Sequence, residues 1–171
     1  MIRRLVTGLA VLTGLSLAAP AAAVINGTPD GEGHPNVGGL VAPEAYSDGT
    51  WLYCSGTLVS PTVLLTAAHC DADGSRVRVS FSSAYEDGDK TYGGTFEADP
   101  RYPGAQDDSF DIAVVVLDKP VQGITPATLP AAGSLSELPA DQTFTSVGYG
   151  AYEVTNEPGG HRYLYDDVRM M

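Results

Sequence analysis

Two side chains in this sequence are suited to proton transfer. His69 lies in the run Thr66–Cys70, and Asp111 directly precedes the apolar run Ile112–Leu117. An imidazole titrates near neutral pH, so it can serve as the general base that activates a weak nucleophile such as a serine hydroxyl. A carboxylate at the head of a buried strand is costly without a partner. Judged as single residues, the histidine could equally be structural and the aspartate a turn residue.

The elements that must position these residues are short strands. The alternation in Arg76–Phe81 predicts a half-buried strand. Its inward-facing residues would be Val77, Val79 and Phe81. Thr91–Ala98 predicts another strand, in which Gly93–Gly94 suggests a bulge or bend. Ile112–Leu117 is a continuous apolar run, which predicts a fully buried strand. No segment has convincing helical periodicity, so the predicted fold class is all-β.

Four segments of the chain resemble the trypsin-like (chymotrypsin-fold, peptidase family S1) serine peptidases, in the secreted bacterial type. Cys54–Pro61 is similar to the family's strand before the histidine, and Val63–Cys70 to the next strand and the histidine turn. Asp111–Val121 is similar to the aspartate strand, and Ser146–Gly150 to the strand that opens the second barrel. The resemblance implies a trypsin-like double β-barrel, with the first barrel complete and the second truncated.

The resemblance also assigns roles. It makes His69 the general base and Asp111 the carboxylate that orients the imidazole and stabilises the imidazolium. A disulfide between Cys54 and Cys70 would tie the histidine turn to the neighbouring strand. The alternatives are two free thiols or half of a metal site. Fifteen residues separate the two cysteines, which fits no compact metal-ligand pair. We predict no metal and no cofactor.

The family's nucleophile segment, Gly-Asp-Ser-Gly-Gly, does not occur in the sequence. In the family's template the serine follows the aspartate by about 90 residues, whereas 60 residues follow Asp111 here. Ser109, Ser134 and Ser136 do not lie in the glycine-flanked context of such a serine; Gly133 precedes Ser134, but Leu135 follows it. We therefore expect a serine endopeptidase, acting on protein or peptide substrates, that is truncated before its nucleophile and inactive alone. The alternatives are a non-catalytic secreted binding protein with a peptidase-like fold, or half of a split enzyme that another chain completes.

The first 23 residues read as a secretory signal. Arg3 and Arg4 precede an apolar run, and three alanines at 21–23 form a small-residue cleavage site. Cleavage would make Val24 the mature N-terminus of a secreted, extracellular protein with no membrane segment. Residues 24–171 are then an incomplete peptidase domain. Residues 24–140 would be the first barrel and its connection, and 141–171 the start of the second barrel.

Charge excludes some partners. Without the leader, seven basic residues face 21 acidic ones, which gives a formal charge of −14. Such a chain is poorly suited to nucleic acid or to anionic membranes. His34 and His161 read as solvated loop residues, and the carboxylates of Asp71–Gly74 and Glu86–Asp89 as solvated loop groups rather than calcium ligands. Tyr163–Val168 reads as a strand that has lost its partners.

Overall fold

The computed structural model describes residues 27–71, 76–104, 109–157 and 160–171, with side chains left undescribed at 150–166. The expected signal at 1–23, the expected terminus Val24 and most of Asp71–Gly74 lie outside the described residues. The side chain of His161 does as well.

Six antiparallel strands close into a barrel in the order β1-β2-β3-β6-β5-β4. Their bounds are β1 Val37–Val41, β2 Leu52–Ser60, β3 Val63–Thr66, β4 Arg76–Ser80, β5 Thr91–Ala98 and β6 Ala113–Leu117. Helix is confined, in the described part of the chain, to 3-10 turns at Ala68–Cys70 and Ser134–Glu137. The all-β fold with a complete first barrel is therefore confirmed.

The barrel interior is filled by alternate residues of its strands, as the period of two requires. Leu40, Leu58, Leu64, Val79 and Val115 are each 0 % exposed. Val77 and Val79 face this core as predicted, and Phe81 packs against it while partly buried.

The prediction that the Ile112–Leu117 run is buried on both faces is wrong. Ala113, Val115 and Leu117 point into the barrel, whereas Ile112 and Val116 are 45 % and 39 % exposed. A barrel strand has one face toward the interior and one toward the outside. A continuous β-branched run does not distinguish that arrangement from a strand covered on both faces.

Gly93 and Gly94 allow close strand packing and introduce no bulge. The β4–β5 ladder passes through both glycines and the β5–β6 ladder begins at Gly94, and neither ladder has a register shift there. A Cβ added to Gly94 would lie 2.6 Å from Cγ1 of Val115 and 2.9 Å from the carbonyl oxygen of Val116. Both contacts are shorter than real Cβ contacts, so the sequence needs glycine here for close approach.

The second sheet contains two antiparallel strands, β7 Gly148–Glu157 and β8 Gly160–Met170. The prediction that the strand near Tyr163–Val168 is unpartnered is wrong, because β8 pairs with β7 along its length. The end of β8 also bonds to two segments beside the first barrel, the one before β1 and the one between β4 and β5. The amide of Arg169 donates to the carbonyl of Ser83, and the amides of Thr28 and Met171 donate to each other's carbonyls, all at 2.8–2.9 Å.

The segment between the sheets, from Pro120 to Val147, contains the predicted Pro- and Ala-rich connection. Within it the described structure forms no strand and only the 3-10 turn noted above. Several of its apolar side chains face solvent, namely Leu129, Leu135, Leu138 and Phe144.

Candidate active site

The histidine turn is held against the barrel by the residues that precede His69. Strand β3 ends at Thr66, whose hydroxyl donates to the carbonyl of Ser55 on β2 at 2.9 Å. The 3-10 turn follows at Ala68–Cys70, and Ala68 is 2 % exposed, so only a small side chain fits there. His69 therefore projects from a short turn that is held against the barrel.

Strand pairing brings Asp111 to this turn. Thr66 of β3 pairs with Ala113 of β6, the last pair of that ladder. His69 lies three residues beyond Thr66, and Asp111 lies two residues before Ala113. Because the strands are antiparallel, both residues leave the barrel at the same end.

Asp111 binds His69 at two points. Its Oδ2 lies 2.7 Å from Nδ1 of the imidazole, and its Oδ1 accepts a hydrogen bond from the backbone N–H of His69 at 2.9 Å. The carboxylate side chain is 10 % exposed and the imidazole side chain 34 %. Two bonds to one carboxylate set both the position and the orientation of the ring.

The electrostatics of the pair keep the carboxylate ionised. Burial acts to raise the pKa of Asp111, but hydrogen bonds from the side chain and backbone of His69 outweigh it, and the pKa lies below its ordinary value of 3.8. Among the described residues, no group hydrogen-bonds to Nε2 of His69. The arrangement can thus take a proton at Nε2 and stabilise the resulting imidazolium.

Two of the serines considered from the sequence use their hydroxyls for hydrogen bonds within the local turn. The hydroxyls of Ser134 and Ser136 donate to the carbonyls of Ala131 and Gly133 at 2.8 and 2.6 Å. Those bonds stabilise the 3-10 turn at Ser134–Glu137. Neither serine is bonded to His69.

The predicted disulfide forms. Cys54 on β2 and Cys70 at the end of the histidine turn are bonded, with their Cα atoms 6.0 Å apart. Cys70 is buried against the main core, and Cys54 is partly buried beside it. The bridge therefore attaches the residue after His69 to the neighbouring strand.

The residues on either side of Asp111 are held by contacts with Asp99 and Arg101. The amide of Asp99 donates to the carbonyl of Ile112 at 2.9 Å, and its carboxylate accepts hydrogen bonds from Arg101 at 2.7–2.9 Å. The Arg101 guanidinium lies 4.2 Å from the ring centroid of Phe110. A cation stacked on that ring stabilises the residue adjacent to Asp111.

A cavity of about 380 Å³ opens beside the start of β2. It is lined by Tyr46, Ser47, Asp48, Thr50, Leu52 and Tyr53. Burial, followed by the charges of Tyr46 and Asp71, raises the pKa of Tyr53 to about 12. Since Tyr53 precedes Cys54, the disulfide connects the cavity wall to the histidine turn.

A buried polar cluster was missed from the sequence. Arg169 donates to Asp30 at 2.8 Å, and His34 lies 2.6 Å from the same carboxylate through Nδ1. Asp167 accepts hydrogen bonds from the amides of Trp51 and Leu52 at 2.8–3.0 Å. His34, expected as a solvated loop residue, is 44 % exposed yet bonded. No motif marks groups this far apart, and only the folded chain brings them together.

Comparisons with known proteins give the class of protein. The trypsin family model matches residues 35–169, which is most of the chain. A curated trypsin from Phaedon cochleariae is 34 % identical over 108 residues, which cover 58 % of this chain and 41 % of that protein. The chain therefore belongs to the trypsin family, and its resemblance to trypsin-like serine peptidases is confirmed.

Solved structures give the same fold. The HL collagenase is 25 % identical, with a TM-score of 0.52 over 66 % of this chain and 50 % of that one. The structure of GrC, at 19 % identity, supports the fold alone, with a TM-score of 0.54 over 86 % of this chain and 63 % of that one. The chain thus spans less than two thirds of the length of each of these relatives.

The described residues contain no helix long and apolar enough to cross a bilayer.

Proposed function

We propose that this chain supplies the general base and the orienting carboxylate of a secreted serine endopeptidase. The observation that carries the proposal is the 2.7 Å contact between Asp111 and Nδ1 of His69. In the proposed reaction, Nε2 of His69 takes the proton of a serine hydroxyl as the serine attacks a peptide carbonyl. Asp111 stabilises the imidazolium, which then gives the proton to the leaving amine. Protein or peptide chains are the proposed substrates.

We further propose that the serine comes from outside residues 1–171 and that this chain alone does not hydrolyse peptides. Two observations support this. The sequence holds no Gly-Asp-Ser-Gly-Gly segment. Ser134 and Ser136 donate their hydroxyls within their own turn. Without a nucleophile, His69 and Asp111 can accept a proton but cannot form an acyl-enzyme.

Labelling with a fluorophosphonate tests this proposal. Purified 24–171 should give no adduct. A chimera in which the chain continues into the C-terminal segment of a trypsin-like peptidase should be labelled at the serine of that segment. Asp111→Asn in the chimera should slow peptide hydrolysis by about 10⁴-fold, the loss typical of this aspartate in the chymotrypsin triad.

The control is His34→Gln, which removes a histidine that is paired with an aspartate away from the histidine turn. It should hydrolyse peptides at the rate of the unsubstituted chimera. A fluorophosphonate adduct on a serine of 24–171 would refute the external nucleophile. Full hydrolysis by the chimera with His69→Ala would refute the assigned base.

Two alternatives have distinct signatures in the same experiment. A non-catalytic binding protein has no use for a carboxylate held against an imidazole, and its chimera would stay unlabelled. If the chain is half of a split enzyme, an adduct would form only after a separate second polypeptide is added, and it would lie on the serine which that polypeptide supplies.

The proposed compartment follows from the leader and the disulfide. Disulfides persist in oxidising compartments, and the Cys54–Cys70 bond is consistent with one. We propose cleavage after Ala23, so that residues 24–171 form the incomplete peptidase domain. N-terminal sequencing of secreted material should begin at Val24; a start at Met1 would exclude a removable signal.

A further inference from the structure

We propose that reduction of the Cys54–Cys70 disulfide converts the histidine turn into a zinc-type metal site with Cys54, Cys70 and His69 as ligands. Within the described ranges, one candidate ligand atom from each of these three residues, namely the two sulfurs and an imidazole nitrogen, lies within 4.8 Å of the other two. In the oxidised protein both sulfurs are committed to the disulfide, so the group holds no metal in that state.

The geometry needs only a small rearrangement. Zinc binds thiolate sulfur at about 2.3 Å and imidazole nitrogen at about 2.0–2.1 Å, so tetrahedral ligand atoms lie roughly 3.5–3.8 Å apart. Opening the disulfide lets the two sulfurs separate to that spacing. Cys54 lies on β2 and Cys70 ends the histidine turn, with their Cα atoms 6.0 Å apart. The backbone would therefore keep the two sulfurs close together after reduction.

The chemistry balances with a dithiol as reductant. The dithiol is oxidised to its own disulfide, the sulfur–sulfur bond breaks, and Cys54 and Cys70 each gain one electron and one proton. Cys54 is partly exposed and is the sulfur that the reductant can reach, whereas Cys70 is buried. Zinc then displaces both thiol protons to solvent and forms two zinc–sulfur bonds and one zinc–nitrogen bond.

Asp111 prepares the third ligand. Its Oδ2 lies 2.7 Å from Nδ1 of His69, so Nε2 is the nitrogen that the proposed metal would bind. A carboxylate on the far nitrogen of a metal-bound histidine fixes the ring and raises its basicity. Two thiolates and one imidazole are also the ligand types that zinc prefers, with water in the fourth position.

The consequence for catalysis rests on the proposed function, whereas the metal site itself does not. A metal on Nε2 occupies the lone pair that would accept the serine proton. The reduced, metal-loaded protein would therefore have no general base, and reoxidation in the presence of a chelator would restore it.

Cobalt spectroscopy on purified 24–171 tests the site without any activity assay. The protein is reduced with a phosphine, freed of reductant, and titrated with Co²⁺ under argon. We expect thiolate-to-cobalt charge transfer in the near ultraviolet and intense visible d–d bands of tetrahedral cobalt. The oxidised protein should show neither. His69→Ala should bind cobalt at least about 10-fold more weakly and lose the tetrahedral bands, and Asp111→Asn should weaken binding about 10-fold or more.

The matched control is His34→Gln, which should bind cobalt like the unsubstituted protein. Equal binding by reduced His69→Ala would show a simple dithiol site and overturn the proposal. So would an absence of charge transfer in the reduced protein, or a far-ultraviolet circular dichroism spectrum showing that reduction unfolds the barrel and that Zn²⁺ does not restore it. Failure of the fluorophosphonate experiment alone would leave the cobalt result standing.

Discussion

Arg169 and Asp30, 139 residues apart in the chain, form a 2.8 Å ion pair whose two side chains are both 0 % exposed. Burial acts to raise the pKa of Asp30, but hydrogen bonds from His34 and Arg169 outweigh it and lower that pKa below 3.8. Arg169 also bonds to the hydroxyl of Tyr149 at 3.3 Å. The pair thereby joins the end of β8 to the segment that precedes β1.

Removing one partner of this pair should be strongly destabilising. Arg169→Met leaves the Asp30 carboxylate buried without its cation, which we expect to cost about 3–5 kcal/mol in the free energy of unfolding. Asp30→Asn combined with Arg169→Met should cost less than the sum of the two single changes. Urea denaturation of the three variants measures this coupling.

The comparison variant is Arg76→Met, which removes the exposed partner of Asp118 and should change the unfolding free energy little. Additive single changes at Asp30 and Arg169 would show that the pair does not act as a unit.

The Cys54–Cys70 disulfide should stabilise the first barrel by constraining the unfolded chain. The cysteines are 16 residues apart, and a loop of that size is worth about 3 kcal/mol in the chain-entropy account. Replacing both cysteines with serine should lower the unfolding free energy by about that amount. A loss below about 1 kcal/mol in the unfolding free energy, measured by urea denaturation, would contradict this expectation.

Asp99 should titrate well below an ordinary carboxyl. Hydrogen bonds from the Arg101 side chain and backbone lower the pKa of Asp99 from 3.8 to about 2. Because the folded pKa is depressed, the stabilising contribution is present above pH 3.8 and is lost as the pH falls toward 2. Carbon-detected NMR should follow this midpoint, and Arg101→Gln should move it back toward 3.8. A midpoint near 3.8 in the unsubstituted protein would exclude the Arg101 contact in solution.

The sequence predicted what depends on short-range pattern. Alternation located β4 and β5, and the histidine and aspartate runs located the ends of β3 and β6. It did not predict that Val116 faces outward, because a β-branched run reads the same in a barrel wall as in a covered sheet. The sequence also showed no sign of the buried ion pair between Arg169 and Asp30. Each looks like an ordinary surface charge until folding places one against the other.

The residues around the candidate site also divide into those that sequence motifs predicted and those that only the folded structure identified. His69, Asp111 and the disulfide were predicted from motifs that occupy contiguous residues. Tyr149 and Asp167 reach the first barrel through contacts that no local pattern encodes. The hydroxyl of Tyr149 donates to the carbonyl of Ser82 at 2.6 Å, which required the complete tertiary structure to recognise.

The central claim is that Asp111 holds His69 ready to act as a base. The measurement that tests it most directly is the tautomer of neutral His69, read from its ¹⁵N chemical shifts and one-bond N–H couplings in 24–171. A hydrogen bond to one ring nitrogen sets which nitrogen carries the proton. We predict protonated Nδ1 and unprotonated Nε2 in the unsubstituted chain, with the reverse in Asp111→Asn. A neutral His69 protonated at Nε2 in the unsubstituted chain would contradict the account, because its lone pair would then face Asp111 and no base would be available.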